Sequence, residues 1–214
     1  MSAFLNLPNL ISLTGLLCGL AAALLGVSGE VHLGLVALVA SGICDLFDGF
    51  VARRLDLPPE AREFGRRLDS VVDVCSFGFA PAVLLHGYGL RAPHEAAALG
   101  ALLVAAAWRL AWFDTFGLAA GEAGAKYYRG LPVTYVALVV PVTFLADVLR
   151  PGVLRPFLFV EPLALAALMV SPLRIRKPGG VFYAVFLALA VVVSAVLIAA
   201  RLRAGPSAGA PAGP

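Results

Sequence analysis

Four aspartates are spaced in the sequence as a metal site or an acid–base pair would require. Asp45 and Asp48 are three positions apart, and Asp69 and Asp73 are four positions apart. Residues with these spacings share one face of an α-helix, so each pair predicts two carboxylates that point the same way. Carboxylate oxygens are hard ligands that suit Mg²⁺ or Mn²⁺. We therefore predict a site in which the four carboxylates hold two such ions.

Small residues and an arginine accompany the aspartates. Gly49 and Ala52 follow the first pair within about one turn, and Gly65 comes one turn before the second pair. Such small side chains leave room for a bulky ligand to approach the backbone. Arg53 comes directly after Ala52, and a guanidinium can hold two oxygens of one phosphate. The pattern predicts a phosphate-bearing ligand beside the carboxylates.

Two other interpretations of the aspartates are open. Aspartates commonly cap helix ends, and carboxylates inside membrane helices also line cation pathways. Capping would not place all four on matched faces with small residues between them. A cation pathway leaves Gly49, Ala52, Arg53 and Gly65 without a role.

The elements that position these residues are membrane-spanning helices. The chain of 214 residues is 61% hydrophobic and only 14% charged, with a mean hydropathy of +0.93, which is too apolar for one soluble core. A helix needs about 20 apolar residues to cross a bilayer. We predict an all-α, polytopic transmembrane helix bundle with spans at 7–27, 31–52, 67–87, 95–118, 132–149, 153–171 and 181–200. The break at 149–153 is either a tight hairpin or a kink within one helix.

The predicted domain is single and covers residues 1–204, followed by a disordered tail at 205–214 made of Gly, Ala, Pro and Ser. Basic residues of short loops stay in the cytoplasm, and the loop between the second and third spans is rich in arginine. This loop predicts a cytoplasmic site and contains Arg53, Arg54, Arg62, Arg66 and Arg67. With this loop in the cytoplasm, the alternation of the spans places four arginines outside, which conflicts mildly with the rule: Arg150, Arg155, Arg201 and Arg203.

The aspartate-containing segments resemble a known family motif. Asp45-Leu-Phe-Asp-Gly-Phe-Val-Ala-Arg53, followed by Gly65-Arg-Arg-Leu-Asp-Ser-Val-Val-Asp73, is similar to the motif DxxDGxxAR…GxxxDxxxD of the CDP-alcohol phosphotransferases. The continuation to Pro81 resembles the phosphatidylserine synthase branch. So do three shorter segments: Leu7-Pro-Asn-Leu, Gly130-Leu-Pro132 and Leu168-Met-Val-Ser171.

This resemblance implies a membrane enzyme that transfers a phosphatidyl group from CDP-diacylglycerol to L-serine, giving phosphatidylserine and CMP. It implies a homodimer in the lipid bilayer, a six-helix core with about one extra C-terminal helix, and no nucleic acid partner. Metal binding would fall to the four aspartates, with Asp73 also the general base. The CDP-lipid would bind at Asp48, Gly49, Ala52, Arg53 and Gly65.

The chain departs from the family pattern in two places. The interval between Arg53 and Gly65 is longer than usual, and we expect residues 57–60 to be a small loop insertion that leaves the site intact. Synthases of this branch typically read RLARFN where this chain has Arg109-Leu-Ala-Trp-Phe-Asp114, so Trp112 stands for an Arg and Asp114 for an Asn. Arg109 and Asp114 are either acceptor-binding groups or a buried structural pair.

The acceptor is therefore open to alternatives. Choline, inositol phosphate or glycerol phosphate could replace serine in the same chemistry, although a phosphorylated acceptor calls for extra basic residues beside the metal site. A divalent-cation transporter that uses the same four carboxylates is the alternative from a different class.

Overall fold

The computed structural model describes residues 4–120, 126–150, 152–176 and 180–204. The tail predicted to be disordered lies outside these residues. The elements in chain order are α1 Leu7–Val27, α2 Val31–Ala52, α3 Pro59–Asp73, a π-helical segment Val74–Phe79, α4 Ala80–Tyr88, α5 Pro93–Phe116, β1 Ala119–Ala120, β2 Lys126–Arg129, a 3₁₀ turn Val133–Tyr135, α6 Val136–Leu149, α7 Val160–Val170, β3 Arg174–Arg176 and α8 Gly180–Ala204.

Long apolar helices dominate the described part of the chain, so the all-α membrane fold is confirmed. Five helices are long and apolar enough to cross a bilayer, and α6 and α7 are shorter apolar helices. The bounds of α1 and α2 agree with the prediction. The side chain of Asn6 caps α1 by accepting a hydrogen bond from the Asn9 backbone N–H at 3.1 Å, and Pro8 lies in the first turn.

The third span is longer than predicted. Helix α3, the π-helical segment and α4 run as one continuous helix from Pro59 to Tyr88, whereas hydropathy predicted a start at residue 67. The first turns of α3 carry too much charge to register as an apolar span. Arg62, Arg66 and Arg67 therefore lie on a helix, not in a loop, and the second half of the predicted loop insertion, Pro59 and Glu60, belongs to its first turn.

Three short strands were missed by the sequence analysis. They form an antiparallel sheet in the order β1-β2-β3, in which Tyr127 pairs with both Ala119 and Arg176. Strands of two to four residues give no periodic signal. The sheet ties the end of α5 to the end of α7, and α7 itself is shorter than the predicted span at 153–171.

Close helix contacts bring α1 against the helix that carries the second aspartate pair. A Cβ atom added at Gly19 would lie 2.9 Å from Ser76 Oγ, and one added at Gly26 would lie 2.5 Å from Leu84 Cα. Small residues at such positions let membrane helices approach each other. This packing fixes α1 as one wall of the site described below.

The arginines that conflicted with the charge rule are partly neutralised by carboxylates. Arg201 near the end of α8 forms an ion pair with Glu30 between α1 and α2, and its hydrogen bond lowers the pKa of the Glu30 carboxyl below its ordinary value. Arg155 Nη1 donates to Glu95 Oε1 at 2.6 Å. Both pairs lie at the end of the bundle opposite the aspartates, so α8 is anchored there by charge as well as by packing on α2.

Candidate active site

Two helices bring the aspartates together, as the spacing predicted. Asp45 and Asp48 lie near the end of α2, and Asp69 and Asp73 near the end of α3. Carboxylate oxygens of Asp45, Asp48 and Asp69 lie within 4.8 Å of one another. Asp73 lies one turn beyond Asp69, is only 6% exposed, and interacts electrostatically with Asp45 and Asp69. Three carboxylates thus form the cluster and Asp73 borders it.

The cluster has the chemistry of a cation site. Asp69 Oδ1 and Asp73 Oδ1 are buried and have no hydrogen-bond partner among the described residues. Buried carboxylate oxygens that lack a partner are costly unless a cation or a proton compensates them. Oxygen ligands at these separations fit a hard divalent ion, so the residues present suit the metal that the motif implies.

A cavity of about 650 Å³ opens on one side of the cluster, between α1 and α3. We call it the α1–α3 cavity. All of the predicted CDP-lipid residues line it. The full lining comes from α1, α2, the loop after α2 and α3: Pro8, Asn9, Ser12, Asp48, Gly49, Ala52, Arg53, Leu55, Leu57, Ala61, Arg62, Gly65, Arg66 and Asp69. The structure therefore places the motif glycines, alanine and arginine around one space.

Neighbouring side chains leave little room for a larger residue at either of the two motif glycines. A Cβ atom at Gly49 would lie 3.3 Å from Arg53 Nη1, so a larger residue there would displace the guanidinium. A Cβ atom at Gly65 would lie 2.9 Å from Asn9 Oδ1. Gly65 therefore also allows α3 to pack closely on α1, a role that the sequence analysis did not anticipate.

A second cavity, of about 210 Å³, opens on the other side of the cluster and is called the central cavity. Five residues line both cavities: Asp48, Gly49, Arg53, Arg66 and Asp69. The remaining polar residues of the central cavity are Asp45, Ser70, Asp73, Arg109, Asp114, Tyr128, Thr134, Tyr135 and Tyr183. The carboxylates therefore separate two spaces that could each hold one reactant.

Arg109 and Asp114 both line the central cavity, but they do not form a salt bridge with each other. Arg109 is 7% exposed, its Nε has no hydrogen-bond partner among the described residues, and its guanidinium lies 5.4 Å from the Phe113 ring and 5.6 Å from the Tyr128 ring. Asp114 Oδ1 instead pairs with Arg66 Nη1 at 3.1 Å. The salt bridge expected of a buried structural pair is therefore absent between these two described side chains.

Sequence reasoning missed several residues of the site. Ser12 Oγ donates to Asp48 Oδ2 at 2.5 Å, and Asn9 lies beside Gly65. These two residues are three positions apart and share a face of α1. Asn9 belongs to the Leu7-Pro-Asn-Leu segment and Ser12 follows it by two positions, so this segment was the available signal. The tyrosines of the central cavity come from β2, the 3₁₀ turn and α8, and only the folded chain brings them together.

Comparison with known proteins identifies the family to which the chain is similar. The CDP-alcohol phosphatidyltransferase family model matches residues 5–203. The chain is 27% identical over 184 residues to the archaetidylserine synthase of Methanothermobacter thermautotrophicus, covering 84% of this chain and 73% of that protein. It is 30% identical over 194 residues to the CDP-diacylglycerol–serine O-phosphatidyltransferase of Methanocaldococcus jannaschii, covering 88% and 84% respectively. A Bacillus subtilis enzyme with the same activity name is 31% identical over 84 residues, which is 39% of this chain and 46% of that enzyme.

The chain belongs to the CDP-alcohol phosphatidyltransferase family. It is an integral, multi-pass membrane enzyme of the class that transfers a phosphatidyl group from CDP-diacylglycerol to an alcohol. The family depends on divalent metal, and the described residues include a carboxylate cluster that could hold it. Membership favours the transferase over the alternative of a cation transporter.

Proposed function

We propose that this enzyme transfers the phosphatidyl group of CDP-diacylglycerol to L-serine, on the cytoplasmic side of the membrane, and that it works as a homodimer. The observation that carries the proposal is the pair of cavities that meet at Asp48 and Asp69. The α1–α3 cavity, with Arg53 and the small motif residues, suits the CDP-lipid. The central cavity, with Arg109 and Asp114, suits a small acceptor.

The charges of the central cavity support a zwitterionic acceptor. A serine molecule presents a carboxylate and an ammonium group, and Arg109 and Asp114 provide one group of each opposite charge in the same cavity. The buried Arg109 has no salt-bridge partner among the described residues, so it remains available for a carboxylate. A buried charge of this kind is stabilised when a ligand supplies its partner.

Phosphorylated acceptors fit the cavity less well. Arg66 donates hydrogen bonds to Glu63 and Asp114, so its charge is already compensated. Arg67 pairs with Glu63 and does not line the central cavity, and Arg129 stacks on Trp112 outside it. None of these three arginines therefore provides an uncompensated charge inside the central cavity.

The proposed reaction is a direct displacement at phosphorus. The hydroxyl oxygen of serine attacks the phosphorus that bears the diacylglycerol group, the bond from that phosphorus to the CMP oxygen breaks, and CMP leaves. We assign the hydroxyl proton to Asp73, because this residue lines the central cavity and its buried Oδ1 has no hydrogen-bond partner among the described residues. Arg53 would hold the departing phosphate.

Asp45, Asp48, Asp69 and Asp73 are the residues we assign to two divalent ions, Mg²⁺ or Mn²⁺. When bound, such ions would neutralise negative charge on the phosphate oxygens. Ser12 positions one of these ligands, because its hydrogen bond to Asp48 Oδ2 fixes a carboxylate that lines both cavities.

A direct assay tests the acceptor. Purified enzyme is mixed with CDP-diacylglycerol, divalent metal and one alcohol at a time from serine, choline, inositol phosphate and glycerol phosphate, and both CMP and the lipid product are measured. We expect product with serine. Efficient turnover of any of the other alcohols, with little from serine, would contradict the proposal while leaving the family assignment intact.

The sidedness of the site has a separate test. Asp56 lies in the loop that follows α2, and its side chain is fully exposed, whereas Ser28 lies at the opposite end of the bundle. In a background without Cys18, Cys44 and Cys75, we expect Asp56→Cys to react with a membrane-impermeant thiol reagent only in opened membranes. Ser28→Cys should react in intact cells. The reverse pattern would place the site outside.

A further inference from the structure

A small groove of about 110 Å³ lies between α5 and the end of α7, outside the central cavity. We call it the α5–α7 groove. It is lined by Trp108, Arg109, Trp112, Arg129 and residues 169–171. The proposed reaction uses none of these residues except Arg109.

Arg109 lies at the boundary between the groove and the reaction site. It is the residue that lines both the α5–α7 groove and the central cavity. The side chain is more than nine-tenths buried, and its Nε has no hydrogen-bond partner in the described chain. Because an unpartnered buried donor is costly, this group indicates that a ligand with acceptor oxygens approaches here.

A second guanidinium stands at the open side of the groove. The Arg129 guanidinium carbon lies 5.2 Å from the centre of the Trp112 ring. No carboxylate oxygen of the described residues lies within 4.0 Å of a guanidinium nitrogen of Arg129. A guanidinium stacked on an aromatic face keeps its N–H edge free for an anion. Trp112, one of the two residues that depart from the RLARFN pattern, thus supplies the surface that holds Arg129.

Two further residues of the groove, Trp108 and Val170, present exposed apolar surface. Trp108 is 66% exposed and Val170 is 54% exposed. Both lie toward the end of the bundle that carries the aspartates, where tryptophan and arginine side chains are typical of the boundary between headgroups and hydrocarbon. A ligand here therefore meets apolar surface, indole rings and two cationic groups together.

We propose that the α5–α7 groove binds an anionic phospholipid of the surrounding leaflet through its phosphate, next to the reaction cavity. The phosphate oxygens would accept hydrogen bonds from Arg129 and approach Arg109, while the acyl chains would pack on Trp108 and Val170. A soluble nucleotide has no counterpart for those apolar walls. The inference is independent of which alcohol the enzyme uses.

Fluorescence provides a direct test, because Trp108 and Trp112 are the two tryptophans of the chain. The full-length enzyme is reconstituted in phosphatidylcholine nanodiscs that contain increasing fractions of brominated phosphatidylglycerol or brominated phosphatidylcholine. We expect half-maximal quenching at a lower fraction of the anionic lipid. Arg129→Gln should raise that fraction roughly fivefold, because glutamine cannot form the charged hydrogen bonds that Arg129 would donate to the lipid phosphate.

Arg174→Gln is the matched control, because Arg174 pairs with Arg129 across the sheet but does not line the groove. Its tryptophan fluorescence should be quenched at the same fraction of anionic lipid as in the parent. For Arg129→Lys, the fraction at half-maximal quenching should lie between those of the parent and Arg129→Gln. CMP release by each variant verifies that it is folded. Equal quenching by the two lipids in the parent would overturn the proposal. So would an Arg174→Gln variant whose preference for the anionic lipid falls as much as that of Arg129→Gln.

Discussion

Replacing Asp69 or Asp73 with asparagine should lower kcat by about 10²–10³-fold or more, with little effect on folding. The amide keeps the shape of the side chain but removes the anionic ligand, and at position 73 it also removes the base. Folding should survive, because the four carboxylates crowd one another and removing one relieves repulsion. CMP release at saturating metal measures the effect, and thermal unfolding in detergent measures stability.

Asp56→Asn is the matched control for this pair of variants. Its side chain is fully exposed and pairs with Arg62 beyond the cluster, so the same chemical change there should leave turnover unaltered. Near-normal kcat in Asp69→Asn and Asp73→Asn would rule out the assignment of these residues as metal ligands and base. A fall in the unfolding temperature that matches the loss of activity would instead indicate a structural role.

Replacing Arg109 with glutamine should raise the KM for serine by about 30-fold or more, since loss of one partner of a buried charge pair costs about 2 kcal/mol or more. The KM for CDP-diacylglycerol should change little, because Arg109 does not line the α1–α3 cavity. Initial rates with one substrate varied at a time measure both constants.

Acceptor analogues show whether Arg109 binds the serine carboxylate or has only a structural role in the cavity. Serinol keeps the amino alcohol of serine but has no carboxylate, so the preference of the parent for serine over serinol should be largely lost in Arg109→Gln. Arg67→Gln, a change on the exposed surface of α3, should keep that preference. If Arg109→Gln lowers the rates with both acceptors equally, Arg109 does not bind the serine carboxylate.

Most of the fold follows from hydropathy, and it fails in two places. The apolar runs of α1 and α2 coincide with their helices, because the bilayer itself sets the length of a spanning helix. Hydropathy did not predict the start of α3, because its first turns are amphipathic and carry Glu60, Arg62 and Glu63. The short strands were not predicted, because segments of two to four residues give no periodic signal.

The candidate site was predictable where its residues share a helix. The spacing of Asp45 with Asp48, and of Asp69 with Asp73, predicts two faces that the structure brings together. Contacts between helices could not be predicted in this way. The hydrogen bond from Ser12 to Asp48 and the pairing of Asp114 with Arg66 depend on how α1 and α5 pack against the other helices.

The π-helical segment Val74–Phe79 begins directly after Asp73. A π turn adds one residue to a helix, so everything beyond it is rotated by about 100° compared with a regular α-helix. The acidic face of α3 and the apolar face of α4, with Leu84 and Leu85 buried, therefore follow two different phases of one helix. Deleting one residue from this stretch would bring the two faces into a single phase and turn one of them away from its partners. The length of the segment is thus more tightly constrained than its composition.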